Sequence, residues 1–298
     1  MRRDPLAYAA IVLLAAIWGY NWVVIKIATY DADPYSVSTI RCVVGALCLV
    51  GILAATGRSL RPTPFRPTLI LGLVQTTVYT VISVTAIATG GAGKTAILTY
   101  TMPFFLVLMA WPVLHERVAR SGWIALVLAG VGLALVLTPL DPGHGSLSKA
   151  LAVTCAIVWA GSAVYAKWLR GRHEIDLLAL TTWQMAYGSA ALVALSGFVP
   201  HHVHFTRTFV LAMLYVAVPG TGLAWLLWMF MLSRLSAGVA GISSLLTPVI
   251  GVISAWLQLG ERPGALEIIG MCCIIVALVI NLAPAGESPV RVAAVAAE

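Results

Sequence analysis

One segment of this chain is written twice. Residues 92–118 (AGKTAILTYTMPFFLVLMAWPVLHERV) lie over residues 237–263 (AGVAGISSLLTPVIGVISAWLQLGERP) without a gap, and ten of the 27 positions are identical. The identities include Pro103 with Pro248, Trp111 with Trp256, and Glu116-Arg117 with Glu261-Arg262. An apolar bias scatters matches of Ala, Val and Leu. It does not align a proline, a tryptophan and a Glu-Arg corner together. Two apolar segments, each interrupted by a proline, in corresponding places of two halves point to a membrane fold built from internal repeats.

Composition agrees. The chain is 60% hydrophobic and 10% charged over 298 residues, which no soluble protein of this length matches. Apolar runs long enough to cross a bilayer fall near 5–28, 34–56, 67–89, 92–114, 121–139, 148–169, 177–198, 207–234, 237–259 and 264–283. The expected fold is all-α and integral to the membrane, with ten transmembrane helices. The repeat reaches further than its strongest pair: Thr76 lies over Thr221, and Trp18 and Lys26 lie over Trp159 and Lys167. Residues 1–140 therefore read as one five-helix unit and 148–285 as a second. Residues 141–147 form a linker loop and 286–298 a cytoplasmic tail. Five is odd, so the second unit is inverted relative to the first, and a central cavity is expected on the axis between them.

The net charge of +7 invites a nucleic-acid reading, but its distribution does not. With the amino terminus inside, twelve Lys and Arg fall on the inner side, and Lys26, Lys94, Lys149, Arg207 and Arg262 on the outer. This positive-inside bias places both termini in the cytoplasm of a bacterial-type inner membrane. The Met-Arg-Arg start with its apolar run has no evident cleavage site and is read as an uncleaved anchor. The bilayer is the expected large partner; no nucleic acid and no obligate protein partner are expected.

Motifs for chemistry are weak. Residues 88–95 (ATGGAGKT) fit the loose form of a nucleotide-binding P-loop, but they join two apolar spans rather than a strand and a helix. His201, His202 and His204 cluster in a loop without a carboxylate or thiol beside them, so no metal is expected. All five cysteines (Cys42, Cys48, Cys155, Cys272 and Cys273) lie inside spans and read as small buried residues. No cofactor is implied and no catalytic residue is found. All eleven acidic residues fall in loops or at span ends, which disfavours a lipophilic-cation cargo and obligatory proton antiport. Arg41 is the exception among cations, since it lies within the second span. It reads first as an anchor snorkelling toward Asp31 or Asp33, and second as an attractor of anions.

The aromatic residues divide by depth. Trp22, Trp111, Trp123, Trp168 and Trp256 lie toward span ends and are assigned to the interface belt. Trp18, Tyr79, Tyr100, Trp159, Trp225 and Trp228 lie deeper. Asn21 and Ser162 stand one turn from Trp18 and Trp159, and Gln75 one turn from Tyr79. Neutral polar groups inside lipid do not face it. The expected substrate-binding set is Trp18, Asn21, Gln75, Tyr79, Tyr100, Trp159, Ser162 and Trp225. Helix-packing contacts are the competing account of the same residues. Pro103 and Pro248 are the expected hinge points, each freeing the carbonyl four residues earlier. The fifth and tenth spans carry almost no polar residues and are expected to be scaffold.

These features together resemble the drug/metabolite transporter superfamily, in its EamA-like branch. The resemblance rests on the ten spans in two halves and on Ile17-Trp18-Gly19-Tyr20-Asn21-Trp22. It rests also on Pro34 with Arg41, and on Pro248 with Gly260-Glu261-Arg262-Pro263. It covers nearly the whole chain. The aromatic-rich spans are most similar to YddG-type amino-acid exporters, and Gln75-Thr76-Thr77-Val78-Tyr79 departs from the plainer Gly220-Thr221-Gly222-Leu223-Ala224 of the other half. The resemblance implies a central cavity lined by the first, third, fourth, sixth, eighth and ninth spans. It also implies export of small metabolites by alternating access. Neutral or zwitterionic solutes, amino acids and aromatic ones among them, are the expected cargo. Efflux of another neutral metabolite or drug is the alternative; a passive channel and an intramembrane enzyme stand further off, the latter for want of any catalytic motif.

Overall fold

Apolar runs with small residues at helical spacing and capped ends give helices, and among the described residues the regular structure is helical, with one isolated bridge, Ala32 with Val203, in the connections. The computed structural model describes residues 5–57, 63–90, 95, 98–116, 118–136, 146–259 and 264–282. Residues 91–94 of the glycine-rich stretch, Lys94 among them, Arg117, the Glu261-Arg262 corner, linker residues 141–145 and the tail lie outside the described residues, as does the side chain of Trp256.

The helices are α1 (Pro5–Ala28), α2 (Pro34–Ala55), α3 (Phe65–Gly72), α4 (Tyr79–Gly90), α5 (Met102–Leu114), α6 (Arg120–Val136), α7 (Ser146–Arg172), α8 (Leu177–Leu195), α9 (Arg207–Ala217), α10 (Ala224–Arg234), α11 (Ala237–Ser243), α12 (Leu246–Leu259) and α13 (Ala265–Leu282). A π-helical turn, Leu73–Val78, joins α3 to α4, and a second, Val218–Leu223, joins α9 to α10. Among the described residues six helices are long and apolar enough to cross a membrane, counting α3–α4 and α9–α10 as continuous; four more are apolar but shorter.

Local chemistry sets the starts. Asp33 caps α2 by accepting from the Ser36 N–H, ahead of Pro34 in the first turn, and Asp176 caps α8 by accepting from the Ala179 N–H. Thr206 and Ser236 cap α9 and α11 in the same way. The paired prolines act at starts too. The chain turns at Tyr100-Thr101 before α5, and at Ser244-Leu245 before α12. Pro103 and Pro248 thus stand in the first turn of a new half-helix, where a missing N–H costs little, rather than bending a continuous one. The Ser244 carbonyl, expected to be freed by Pro248, accepts from the Thr247 N–H at 3.0 Å.

In lipid, close packing replaces the hydrophobic effect as the force between helices. α6 and α13 run along one another, and Gly132 makes the contact possible: a Cβ there would stand 2.7 Å from the Gly270 carbonyl oxygen. Neither helix of this pair contributes a residue to the cavity described below. Outward faces carry the apolar load, including Trp111 at 65% exposure and Trp123 at 48%.

Each end of the bundle is tied. At one end the Asp31–Asp33 loop meets the 202–206 strand-like stretch. His204 N–H donates to the Asp31 carbonyl at 2.8 Å, His202 N–H to Asp33 Oδ2 at 2.8 Å, and Thr206 Oγ1 to Asp31 Oδ2 at 2.8 Å. Burial raises the Asp33 pKa, but hydrogen bonds from the Ser36 side chain and from the backbones of His202, Ser36 and Tyr35 outweigh it and leave the carboxyl below its ordinary value. At the other end Glu116 pairs with Lys167 at 2.6 Å and accepts from the Ala237 N–H at 2.8 Å. Lys167 also donates to the Leu235 carbonyl at 2.8 Å.

Candidate functional site

Between these two ties lies a cavity lined by Trp18, Asn21, Trp22, Ile25, Arg41, Tyr79, Ser83, Ile87, Tyr100 and Trp225. The spacing explains the set. Trp18, Asn21, Trp22 and Ile25 fall at i, i+3, i+4 and i+7 on α1, and Tyr79, Ser83 and Ile87 at i, i+4 and i+8 on α4, so each helix offers one continuous face. Tyr100 comes from the break before α5. Tyr79 directly follows the first π turn and Trp225 stands one residue beyond the start of the helix after the second; the extra residue of each turn rotates the helix beyond it and re-aims both rings.

The rings interlock. Trp18 meets Trp159 at 5.2 Å and 83° between planes, and Trp225 at 5.4 Å and 74°. Tyr79 meets Trp225 at 5.5 Å, and Tyr100 meets Trp159 at 5.6 Å, both edge to face. Trp159 also packs on Trp228 at 5.3 Å, so it is the hub behind the wall. Each such contact contributes about 0.5–1.5 kcal/mol beyond burial. With the rings drawn together, the space open to the centre of a water molecule is only ≈ 20 Å³, little more than one water needs.

Polar groups enter this wall at defined points. Trp18 Nε1 donates to the Gly220 carbonyl at 3.2 Å. Gly220 is glycine for room: a Cβ there would overlap Asn21 Oδ1. Asn21 Oδ1 is buried and has no hydrogen-bond partner among the described residues. Arg41 is 5% exposed, and its Nε donates to Thr221 Oγ1 at 2.9 Å; that hydroxyl in turn donates to the Val216 carbonyl at 2.7 Å across the π turn. A cation at membrane depth costs about 2.5–3.5 kcal/mol on insertion scales. The expected partners of Arg41 are engaged elsewhere, Asp31 and Asp33 both in the end tie. Arg41 therefore faces the cavity instead of snorkelling to an acid.

Of the eight residues expected at the site, Trp18, Asn21, Tyr79, Tyr100 and Trp225 line the cavity. Trp159 supports the rings from behind. Ser162 is bonded within its own helix, Oγ donating to the Trp159 carbonyl at 2.8 Å. Gln75 is fully buried in the first π turn, away from the lining, and neither atom of its amide has a protein partner among the described residues. Trp22, assigned from sequence to the interface belt, is on the lining and meets Tyr100 at 6.1 Å. Its spacing from Trp18 held the signal: residues four apart on a helix share a face. Among the described residues no acidic side chain lines the cavity, and no group of three metal-ligating side chains is present.

A ring-walled cavity between the helices of a multi-pass membrane protein is a place where a small molecule can bind. The EamA-like transporter family model matches the chain twice, over residues 5–138 and 147–283, and the protein belongs to that family. It is 27% identical to the "Uncharacterized transporter YoaV" of Bacillus subtilis (strain 168), covering 88% of this chain and 93% of that one. It is 26% identical to a "Probable amino-acid metabolite efflux pump" of Salmonella typhimurium over 91% and 92% of the two chains. A protein of the same printed name from Escherichia coli (strain K12) is also 26% identical over the same shares. A solved crystal structure shares the fold, with a TM-score of 0.76 at 16% identity over 92% of this chain and 94% of its own.

Proposed function

We propose that this protein exports small zwitterionic or neutral metabolites, amino acids with apolar and aromatic side chains foremost, by alternating access across the inner membrane. The observation that carries the reading is the cavity itself. Trp18, Trp22, Tyr79, Tyr100 and Trp225 offer apolar walls for a side chain and negative π-faces for an ammonium, and Asn21 offers an acceptor without a partner among the described residues. The relatives named as amino-acid metabolite efflux pumps support the same cargo. The acid-free lining supports movement down the solute gradient or by exchange, without obligatory proton antiport.

Ten helices in two inverted five-helix units supply the mechanism in this reading. Several features support it. The family model matches in tandem. The two π turns, Leu73–Val78 and Val218–Leu223, stand 145 residues apart at both ends, the offset that relates Ala92 to Ala237. Asp33 and Asp176 cap corresponding helices, and the prolines head corresponding half-helices. The breaks before Pro103 and Pro248 are natural points for one half to rock against the other. Because the cavity is contracted, loading requires the rings to part, and the two end ties would open alternately.

The test is counterflow. Proteoliposomes loaded with unlabelled L-phenylalanine take up labelled L-phenylalanine transiently and saturably, and Tyr79→Ala raises the apparent KM about tenfold. Uptake that neither saturates nor shows trans-stimulation makes the protein a passive channel. Counterflow driven only by a neutral solute lacking both amine and carboxylate favours efflux of other metabolites.

A further inference from the structure

The acid-free cavity contains one full charge, and the transport proposed so far leaves it without a role. Arg41 is buried on the lining, and among the described residues its only hydrogen bond is from Nε to Thr221. It makes no ion pair among them. A guanidinium carries five N–H donors. With Nε tied sideways to the second π turn, the four N–H of the two terminal nitrogens remain without a protein acceptor among the described residues, and these form the end-on fork that fits a carboxylate. The same cavity holds the complementary orphan, the Asn21 Oδ1 acceptor, to which the missing Cβ of Gly220 gives room.

We propose that Arg41 is the carboxylate receptor of this transporter, with Asn21 Oδ1 and the faces of the neighbouring rings receiving the ammonium, so that the cargo is held at both poles. The proposal rests on the amino-acid reading and sharpens it: the carboxylate is the group the site demands. Cargo then supplies the counterion that the protein withholds, and the contracted empty cavity has a reason to reopen when a carboxylate arrives. An amine without a carboxylate brings a second cation beside Arg41 and is rejected, which an aromatic box with a buried acid would not do. The side chain cannot be replaced by lysine without loss, because a point charge does not reproduce the planar fork.

The experiment uses the purified full chain in detergent and three probes of one shape: L-phenylalanine, 3-phenylpropionate and phenethylamine. Binding is read as ligand-induced thermal stabilisation and titrated. The wild type binds the two carboxylates at least about 30-fold more tightly than the amine. Arg41→Gln loses that preference to within about threefold, and Arg41→Lys falls between. The analogue series on the wild type needs no variant, so a variant that fails to fold does not rescue the idea. Equal binding of phenylalanine and phenethylamine by the wild type overturns the Arg41 assignment and leaves an amino-acid cargo standing. Unchanged phenylalanine affinity in Arg41→Gln makes the arginine a structural anchor. Binding of none of the three overturns the assignment together with the amino-acid reading.

Discussion

The two π turns occupy the same place in the two halves and do different work. In Val218–Leu223 the middle residues are Gly220, Thr221 and Gly222; Gly220 leaves room for Asn21, and the threonine hydroxyl positions Arg41. In Leu73–Val78 the corresponding residues are Gln75, Thr76 and Thr77, and the two threonines turn to a neighbouring helix. Thr76 Oγ1 donates to Gln184 Oε1 at 3.1 Å, and Thr77 Oγ1 to the Gly188 carbonyl at 2.9 Å. Both turns re-aim a ring, Tyr79 after one and Trp225 after the other. Corresponding turns thus carry unlike duties: the second positions the polar groups of the cavity, Arg41 and Asn21, while the first binds the wall to α8. The lesson is that a repeat preserves backbone irregularities more faithfully than the side chains upon them.

The comparison can be broken first at its shared centre. Trp159 touches rings contributed by both halves, so Trp159→Ala should remove support from both walls and destabilise the protein by about 3–5 kcal/mol, visible as reduced expression and an early thermal transition. A variant of wild-type stability would mean the rings stand without their hub. Next in size is Gly220→Ala, whose Cβ displaces Asn21. The apparent KM for L-phenylalanine should rise about tenfold with little loss of stability, and an unchanged KM would free Asn21 from any role in binding.

Gln75 distinguishes the two turns from the opposite side. Its amide is buried without a protein partner among the described residues, so Gln75→Leu should be neutral or raise stability by about 1 kcal/mol while KM stays within about twofold. A large rise in KM would show that the first turn also reaches cargo, in another conformation. Trp22→Ala should raise KM, whereas Trp123→Ala on the lipid face should not; equal effects would make both rings packing elements. The smallest effect belongs to the end tie. Asp33 has a lowered folded pKa, so its contribution is present above the ordinary carboxylate range and is lost as pH falls through that lowered value. Asp33→Asn should flatten the acid limb of a thermal-stability profile, measured by melting in buffers from neutral to acid pH, and leave the neutral region nearly unchanged.

Much of this molecule is legible in its residues alone, for identifiable reasons. Helix limits such as 5–28 and 207–234 follow from apolar runs bounded by caps, prolines and charge. Trp18, Tyr79, Tyr100 and Trp225 stand out because deep aromatics beside polar groups are few. The π turns do not, since an extra residue in a helical turn leaves no mark in composition. The pairing of Arg41 with Thr221 joins residues 180 positions apart and depends on how α2 meets α9 and the π turn that ends it. Depth along a span misplaces Trp22, whose helical phase puts it on the cavity face. The prolines resemble bends in continuous helices, yet at both sites the chain breaks first and proline begins the next segment.

The most direct measurement sets Thr221→Val beside Thr76→Val, with counterflow kinetics and thermal unfolding on both. Thr221→Val should raise the apparent KM for L-phenylalanine about fivefold, the loss of one hydrogen bond that positions a charge, with a small change in unfolding midpoint. Thr76→Val should leave KM unchanged and cost about 1 kcal/mol of stability, because it unties the wall from Gln184. Equal effects on KM, or the larger effect from Thr76, would contradict the division of labour between the two turns and with it the role of the second turn in positioning Arg41 and Asn21.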